Sequence, residues 1–330
     1  MSNSLPYAHI SESTERTANY IKGRKTGDIK SLSTGISKLD AALLNGIEWG
    51  RILTIGGISG TGKSTVLEQI KRGLLKENSY QKFKILSFEF EMLVQDQLAR
   101  NVSGALGIST KDLYSGTHPL QDKLLDSATK ELERLSSMPV YHVDIIGTVD
   151  EIESTMLKFV NEELKSDEGL IVSIDHLLLT KGKLGEDEKR TIDNLMQRLV
   201  ALKKYFSHKG IKVLFIVLAQ LNRNIETPER VMNADLHYPT KNDIFGASSV
   251  YYSSDYVLIT HKPAIVNGIY DHYGPPRGQK YPKGLPVFNP FNPDQAMIYW
   301  HLIKERFGLT KVLMMVDEFD KSRVGEYHQT

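Results

Sequence analysis

The stretch from Gly57 to Ser64 reads Gly-Ile-Ser-Gly-Thr-Gly-Lys-Ser and matches the pattern G-x-x-x-x-G-K-[ST] without a gap. It follows the apolar run 52–55 and precedes a helical pattern that extends through Lys76. Glycines in such a loop allow backbone N–H groups to converge on a phosphate, and the dipole of the following helix favours the negative charge. The motif therefore restricts the chain to an α/β fold that binds a nucleoside triphosphate, or to a relic of one.

Two side chains of this loop have predicted roles in phosphate chemistry. Lys63 is placed to reach the β- and γ-phosphate oxygens, and Ser64 supplies a ligand to Mg²⁺. ATP and Mg²⁺ are therefore the predicted cofactors. The residues predicted to bind the nucleotide are Gly57, Ser59, Gly60, Thr61, Gly62, Lys63, Ser64 and Thr65.

Apolar runs alternate with helical patterns from about residue 31 onward. Thr148 and Glu151 form a predicted capping box at the start of one helix, and another helix is predicted from 186 to 207, with Gly210 as its stop. Alternation of this kind predicts a mainly parallel sheet covered by helices. The predicted strands lie at 52–55, 84–88, 140–143, 170–174, 213–219 and 256–259.

The end of the chain has a different pattern. Two apolar runs, 297–303 and 311–316, flank a short polar turn and predict a C-terminal β-hairpin. Lys304 and Arg306 lie at its predicted tip, where charges keep a sheet edge soluble. The preceding stretch, 263–296, is rich in Gly, Pro and Tyr and is predicted to be an irregular loop.

Composition excludes several classes of protein. The chain has no cysteine, which excludes disulfides, iron–sulfur clusters and cysteine-based zinc sites. The longest apolar stretch, 213–219, is too short to span a bilayer, and residues 1–16 show no apolar run typical of a signal peptide. We therefore expect an intracellular protein without a membrane partner. The formal net charge of +1 means that any contact with nucleic acid must come from a local patch or from assembly of several chains.

Polar residues stand at the ends of predicted strands, where they could complete a hydrolytic site. Asp175 closes one strand, and a carboxylate there would hold Mg²⁺ through water. Glu89 and Glu91 end a neighbouring strand and, as an i, i+2 pair, are predicted to share a face; Glu91, nearer the carboxyl end, is preferred as the residue that orients the attacking water. Gln220 ends another strand and could sense the γ-phosphate, although its position predicts an ordinary loop glutamine equally well.

Six motifs, in order, resemble the ATPase domain of the ring-shaped replicative DNA helicases, the family of bacterial DnaB, phage primase–helicases and mitochondrial Twinkle. The resemblance rests first on the lead-in to the phosphate-binding loop, LSTGISKLDAALLNGIEWGRILTIGG, and on FEM, which is similar to the family's Leu-Glu-Met. It rests further on LAQLNR, KERF and EFDK. The remaining motif is most similar to the phage branch and consists of SIDHLLL with the later DEKRTIDNLMQRLVALKK. The matching stretches are 32–57, 90–92, 173–179 with 187–204, 218–223, 304–307 and 318–321.

The resemblance implies a role for each of these positions. It places the catalytic glutamate on Glu91, gives Gln220 the sensing of the γ-phosphate and gives Phe319 the stacking on the nucleobase. It also implies that Lys304 and Arg306 form a finger that reaches the γ-phosphate held by the neighbouring chain of a ring. The alternative from the residues alone is a solvated hairpin tip.

The family's DNA-contacting loop corresponds to 243–248. Where the family usually carries arginine, this chain has Phe245. Backbone N–H groups of the loop and the nearby Lys241 can still bind phosphates, and Tyr251 and Tyr252 either stack on bases or pack. The residues predicted to contact DNA are Lys241, Asp243, Phe245 and Gly246.

These implications combine into one hypothesis. The chain is predicted to be an ATP-dependent replicative-type DNA helicase that moves 5′ to 3′ along single-stranded DNA as a homohexamer, with a primase or a helicase loader as candidate partner. Residues 1–30 form an arm and linker, and 31–330 a RecA-like helicase ATPase domain. The expected location is the cytoplasm of a bacterial or phage-infected host cell. The alternative is a regulatory or loading ATPase of the RadA/KaiC kind, which acts on protein partners with little unwinding.

Overall fold

The computed structural model describes residues 7, 9–269, 272–274, 284–306 and 308–328. The α-helices in this part of the chain are α1 Ile10–Thr26, α2 Ser37–Ala42, α3 Lys63–Glu77, α4 Val94–Leu106, α5 Thr110–Leu113, α6 Asp122–Ser136, α7 Val149–Glu162, α8 Glu188–His208, α9 Pro228–Met232 and α10 Ala247–Ser253. The strands are β1 Arg51–Gly57, β2 Phe83–Glu89, β3 Val140–Val143, β4 Gly169–Asp175, β5 Val213–Gln220, β6 Tyr256–His261, β7 His272–Tyr273, β8 Leu285–Pro286, β9 Phe288–Asn289, β10 Asn292–Glu305, β11 Lys311–Glu318 and β12 Arg323–Glu326. Short 3₁₀ turns occupy Leu177–Leu179, Arg223–Glu226, Ala234–Leu236, Lys241–Asp243, Pro263–Ile265 and Phe319–Lys321.

One large sheet organises the described chain. Its strand order is β12–β11–β10–β6–β1–β5–β4–β2–β3, with β9 paired to β10. The strands from β6 to β3 in this order are parallel, whereas β10, β11 and β12 add antiparallel at one edge. The predicted α/β class, a mainly parallel sheet with a C-terminal β-hairpin, is confirmed.

Helices cover both faces of the sheet because successive strand residues point to opposite sides. In β1, Ile52 packs into a core with α7 and α8, whereas Leu53 and Ile55 pack on the other side against α2 and α3. Every residue of β4 is buried, as expected of a parallel strand covered twice. Within the described residues, no helix combines the length and the apolar character needed to cross a membrane.

The helix α1 touches the rest of the described chain through polar contacts, among them Arg24 Nη1, which lies 3.1 Å from Glu48 Oε1. It begins after His9, ends at Gly27 in a left-handed conformation, and contributes no buried side chain within the described chain. Burial begins with Ser31 and with Leu32, whose N–H and C=O pair with Ile47. The division of the chain near residue 30 stays a prediction.

The stretch 263–296, predicted to be irregular, is more ordered than its composition indicates. β7 and β8 pair within it, and β10 already begins at Asn292. Its residues 270–271 and 275–283 lie outside the described part. The prediction was wrong for 292–296, because β10 starts in the polar sequence Asn-Pro-Asp-Gln, whose composition is typical of a turn.

A buried cluster of histidine and tyrosine side chains fixes this stretch against β6 and β10. The Tyr273 hydroxyl lies 3.0 Å from His261 Nδ1 and 2.9 Å from His301 Nε2. Burial, with the nearby His237 and Arg230, lowers the pKa of His261 to about 3. Burial, with His261 beside it, also lowers the pKa of His301 well below its ordinary value. Both imidazoles are therefore neutral in the folded protein at physiological pH.

This cluster predicts a loss of stability in mild acid. An unfolded histidine titrates near 6.5, so below that pH the unfolded state binds more protons than the folded state, and the free energy of unfolding falls. Between pH 7.5 and 5.5 the two histidines together account for a loss of about 3 kcal/mol. In urea unfolding, His301→Gln keeps a hydrogen-bond acceptor for Tyr273 and should remove about half of that loss. A pH dependence equal to that of the unchanged protein would contradict a neutral His301.

Candidate functional site

The phosphate-binding loop is a close-packed turn between β1 and α3. Gly60 and Gly62 have φ angles of 80° and 83°, which residues with a Cβ rarely adopt. Gly57 is required for another reason: a Cβ there would lie 2.3 Å from Thr61 Oγ1 and 2.9 Å from the carbonyl oxygen of Thr260. The glycines of the motif are thus imposed by backbone conformation and by the neighbouring strand β6.

Lys63 is buried in the first turn of α3 and folds back over the loop. Its Nζ donates to the carbonyl oxygen of Ile58 at 3.0 Å, and Thr61 Oγ1 donates to the same oxygen at 2.9 Å. Burial lowers the pKa of Lys63, against the opposing effect of Glu91 and Asp175. The other predicted nucleotide-binding residues surround this lysine: the exposed Ser59 and Gly60, and the half-buried Ser64 and Thr65.

Asp175, the last residue of β4, is buried beside Ser64. Burial raises the pKa of Asp175 to about 7, opposed by the hydrogen bond to the Ser64 hydroxyl and reinforced by Glu89, Glu91 and Glu68. Its Oδ1 has no hydrogen-bond partner in the described part of the chain. An orphaned carboxylate oxygen beside a hydroxyl is a donor set that fits Mg²⁺. Among the described residues, no cluster of three or more His, Asp or Glu side chains could hold a metal by itself.

Glu89 and Glu91 do not share a face, contrary to the spacing argument, because β2 ends at Glu89. Glu91 lies in the following loop, with its carboxylate 3.6 Å from His176 Nε2, and it acts electrostatically on Lys63. Glu89 is buried and pairs with Lys71 at 3.1 Å. Of the two carboxylates, Glu91 is the one close to the phosphate-binding loop.

Gln220 ends β5 opposite Gly57 of β1 and connects the loop to a second segment. Its carbonyl oxygen accepts from the N–H of Phe245 at 2.9 Å. The N–H of Asn222 donates to the carbonyl oxygen of Asp243 at 2.7 Å. The candidate phosphate sensor and the predicted DNA-contacting loop are therefore joined by backbone hydrogen bonds.

Phe319 lies against the phosphate-binding loop after β11. A Cβ on Gly62 would lie 2.2 Å from Cζ of the Phe319 ring. Lys262 places its ammonium 5.1 Å from the ring centroid and pairs with Asp317. An aromatic ring with a cation beside it is a platform suited to a nucleobase.

Lys304 and Arg306 lie at the end of the hairpin as predicted, since β10 ends at Glu305 and β11 begins at Lys311, but both cations have partners in their own chain. Both lie where β10 runs beside the start of β6. Arg306 Nε is 3.0 Å from Oδ1 of the buried Asp255, and Lys304 Nζ donates to the carbonyl oxygen of Tyr251 at 2.6 Å. Sequence patterns do not show these contacts because the partners lie on a distant element.

These two cations lie at the opposite end of the sheet from the phosphate-binding loop. The N–H of Asp255 bonds the carbonyl oxygen of Ile52 at the start of β1, whereas the loop follows Gly57 at its end. Five residues of strand between them span about 17 Å. An arginine side chain is too short to cover that distance, so Arg306 does not reach the phosphate site of its own chain.

The structure contradicts a direct DNA contact for the Asp243 side chain. It is buried, accepts from the N–H of Thr240 at 2.6 Å and pairs with Arg230. Phe245 is half-buried and packs against the core, and Gly246 has a left-handed φ of 71° before α10. These residues hold the loop in place.

Lys241 is the exposed cation of this loop. Its Nζ lies 5.8 Å from the ring centroids of both Tyr251 and Tyr252. Tyr251 is half-buried, whereas Tyr252 has 65% of its surface exposed. Lys241 and Tyr252 therefore form an accessible pair of a cation and an aromatic ring.

Comparison with known proteins agrees with this geometry. The family model of the DnaB-like helicase C terminal domain matches residues 31–313. The chain belongs to this family. No match was found among curated protein sequences.

Two solved structures are similar to this DnaB-like domain. The first, an ATPase domain, aligns with a TM-score of 0.76 at 14% identity, covering 98% of this chain and 100% of that one. The second, a DnaB-like replicative helicase described with its interactions with primase, aligns with a TM-score of 0.73 at 13% identity, covering 99% of this chain and 69% of that one. At these identities the likeness shows the fold, and it confirms the predicted RecA-like core.

Sequence patterns did not indicate three residues of this DnaB-like domain that contact predicted site residues: His176 beside Glu91, Lys262 beside Phe319 and Asp255 beside Arg306. Each stands directly beside the end of a strand, His176 after β4, Lys262 after β6 and Asp255 before β6. Position at a strand end is the signal that could have found them.

The contact between Gly62 and Phe319 predicts an effect of Gly62→Ala on nucleotide binding. Gly107→Ala is the matched control, because Gly107 also has a left-handed φ, 69°, but nothing lies within 4 Å of the place that an added methyl group would take. Both changes cost roughly 1–2 kcal/mol of backbone strain. Fluorescence titration with an ATP analogue should show weaker binding for Gly62→Ala alone. Equal affinities for the two variants would contradict the contact.

Proposed function

We propose that this chain is the ATP-hydrolysing domain of a replicative-type DNA helicase that moves 5′ to 3′ along single-stranded DNA as a homohexameric ring. The observation that carries the proposal is the separation of the phosphate-binding loop from Lys304 and Arg306 at opposite ends of one sheet. A second copy that presents these cations to the loop completes the site. Membership of the DnaB-like family supports this arrangement.

In this proposal ATP places its phosphates on the loop, and Mg²⁺ bound by Ser64 and Asp175 supplies charge neutralisation there. Lys63 leaves the carbonyl oxygen of its own loop and binds the β- and γ-phosphate oxygens. Glu91 orients the attacking water, since of the two carboxylates that act on Lys63, Glu91 and Asp175, the second is assigned to Mg²⁺. Gln220 contacts the γ-phosphate from the end of β5.

The nucleobase is proposed to stack on Phe319. The position of the ring on Gly62 supports this role, because a base attached to phosphates on the loop lies within reach of it. Lys262 holds a positive charge over the ring and thereby fixes its orientation.

The side chain of Arg306 can leave Asp255 of its own chain at a small cost in free energy. Without it, Asp255 still contacts Lys203 at 2.7 Å, the N–H of Ile52 at 2.9 Å and Arg51 at 3.5 Å. Three cations around one carboxylate leave an excess of positive charge. That excess suits the γ-phosphate of a neighbouring copy, to which an arginine donates charge-assisted hydrogen bonds.

Lys241 and Tyr252 are proposed to contact single-stranded DNA, the lysine at a phosphate and the tyrosine at a base. Their exposure and their closeness support this role. Backbone N–H groups around Gly246 add phosphate contacts without base specificity. The hydrogen bond from Phe245 to Gln220 would transmit the state of the nucleotide to this surface.

The helix α1 is proposed to pack on the adjacent copy, as the arm of residues 1–30 attached to an ATPase domain of residues 31–330. Ile10 and Ile21 are largely exposed on it, and in the described chain it buries nothing. A primase or a helicase loader is proposed as a further partner; one similar structure is described with primase. We place the protein in the cytoplasm of a bacterial or phage-infected cell.

Stimulation by DNA distinguishes the helicase from a loading ATPase of the RadA/KaiC kind. We expect single-stranded DNA to raise ATP turnover strongly. Lys241→Gln should weaken DNA binding and reduce the slope of log affinity against log salt by about one, because one phosphate contact is lost. Lys123→Gln, exposed on α6, is the control and should change neither. Turnover that is indifferent to DNA would favour the loading ATPase.

Mixing two inactive variants tests the ring. Arg306→Ala should reduce turnover by roughly 10³–10⁵ with ATP binding intact, and Lys63→Ala should be inactive because its own phosphate site is lost. In a mixed ring, an Arg306→Ala subunit supplies an intact phosphate-binding loop, and a neighbouring Lys63→Ala subunit supplies an intact Arg306. The mixture should therefore recover hydrolysis.

The control for this experiment is Arg198→Ala, which removes an arginine of similar exposure on α8, paired with Glu153. It should retain turnover as a single variant. Differently tagged chains verify that subunits exchange. Mixed rings that form and stay at background hydrolysis would rule out completion of the site by a neighbouring Arg306.

A further inference from the structure

A buried ion network lies behind the hydrolytic site, along the same stripe of the P-loop helix as Ser64, since Glu68 and Lys71 follow Ser64 by four and seven residues. Lys71, about two turns after Lys63 on α3, is fully enclosed. Its Nζ donates to Glu68 Oε1 at 2.6 Å, to Ser87 Oγ at 2.7 Å and to Glu89 Oε1 at 3.1 Å. The ammonium group thus uses all three of its donors.

The partners of Lys71 extend the network to four elements. Glu68 accepts from Gln97 Nε2 at 2.7 Å and from Asn101 Nδ2 at 2.9 Å, both on α4. The Ser87 hydroxyl bonds that of Ser173 on β4. A single cation therefore ties α3 to β2 and, through its partners, to α4 and β4, the elements that flank the site.

Glu89 is the member of the network nearest to the chemistry. It is the last residue of β2, it faces Asp175 in register, and it stands two residues before Glu91. The next N–H, that of Phe90, donates to the carbonyl oxygen of Asp175 at 2.8 Å. Glu91 follows directly, so its position depends on how firmly Lys71 and β4 hold this strand end.

We propose that Lys71 is a positioning residue for ATP hydrolysis: by holding Glu89 it fixes the turn that carries Glu91 beside the phosphate site, without touching the nucleotide. The inference rests on the proposed function, because it takes Glu91 as the residue that orients water. Burial alone would raise the pKa of Glu89, but the charge and hydrogen bond of Lys71, with His142 and Ser87 nearby, lower it to about 2. The carboxylate is therefore ionised and remains bound to the ammonium.

Removal of the Lys71 charge leaves Glu89 as a buried carboxylate with only the more distant His142, at 3.8 Å, and Ser87 beside it. A buried ion that loses its partner is strongly unfavourable, so Glu89 moves toward water and the adjacent turn moves with it. Glu68 keeps its hydrogen bonds from α4, and Arg72 remains nearby to balance its charge. The part of the chain that moves is therefore the end of β2, just before Glu91.

The experiment measures ATP turnover and analogue binding in the full chain carrying Lys71→Met. A shift of about 1 Å at a catalytic group costs roughly 10²-fold, so turnover should fall about 10²-fold while analogue affinity stays within about threefold. Lys84→Met is the matched control, since Lys84 lies near the start of β2, the strand that ends at Glu89, and its ammonium pairs with Glu163 and Glu168 there. The control should keep its turnover.

Rescue separates positioning from mere stabilisation. Lys71→Met combined with Glu89→Gln removes the unpaired charge and should regain most of the lost turnover, although the ion pair stays absent. If Glu89 were itself the residue that activates water, the double variant would stay inactive. Turnover of Lys71→Met equal to that of the control, or a parallel loss of turnover and affinity without rescue, would overturn the proposal.

Two further variants keep the outcome decisive. Should Lys71→Met fail to fold, Lys71→Gln removes the same charge with a polar side chain, and wild-type turnover in that variant would overturn the proposal. Glu91→Gln tests the underlying function separately. Full hydrolysis in Glu91→Gln refutes the role of Glu91, whereas an inactive Glu91→Gln beside a fully active Lys71→Met refutes only the role of Lys71.

Discussion

The close approach of β6 to the phosphate-binding loop is the contact on which the rest of the site depends. Thr260 Oγ1 donates to the carbonyl oxygen of Thr61 at 2.8 Å, and the approach is allowed because Gly57 has no Cβ between them. At its other end the same strand follows Asp255, which holds Arg306. A single buried strand of six residues thus fixes the loop and the finger relative to one another.

This arrangement has a mechanical consequence in a ring. Close-packed cores transmit displacement with little compression, so a subunit built on β6 moves its loop and its finger together. In the proposed ring, a movement of Arg306 toward the phosphate of one neighbour would therefore also displace the loop that receives the other neighbour's Arg306.

The sequence predicts the elements whose causes are local. The loop from Gly57 to Ser64 is contiguous, and the central strands read as apolar runs because they are buried on both faces. The partners of charged residues are not predictable in this way. Lys71 resembles any basic helix residue until Glu89, 18 residues away, is brought beside it by the sheet, and Arg230 finds Asp243 across 13 residues. Burial, which decides these pairings, is a property of the folded chain and leaves no trace in local composition.

Phe245 shows how one such burial changes function. An arginine at this place would add one cation for DNA, whereas Phe245 packs its ring against the core and bonds its N–H to Gln220. A loop held by both contacts does not swing independently of β5. The DNA contacts proposed for Lys241 and Tyr252 would therefore follow the end of β5, where Gln220 is proposed to sense the γ-phosphate. With one cation fewer, the proposed binding to DNA would be weaker and less dependent on salt, and the packing of Phe245 would couple it more closely to the nucleotide.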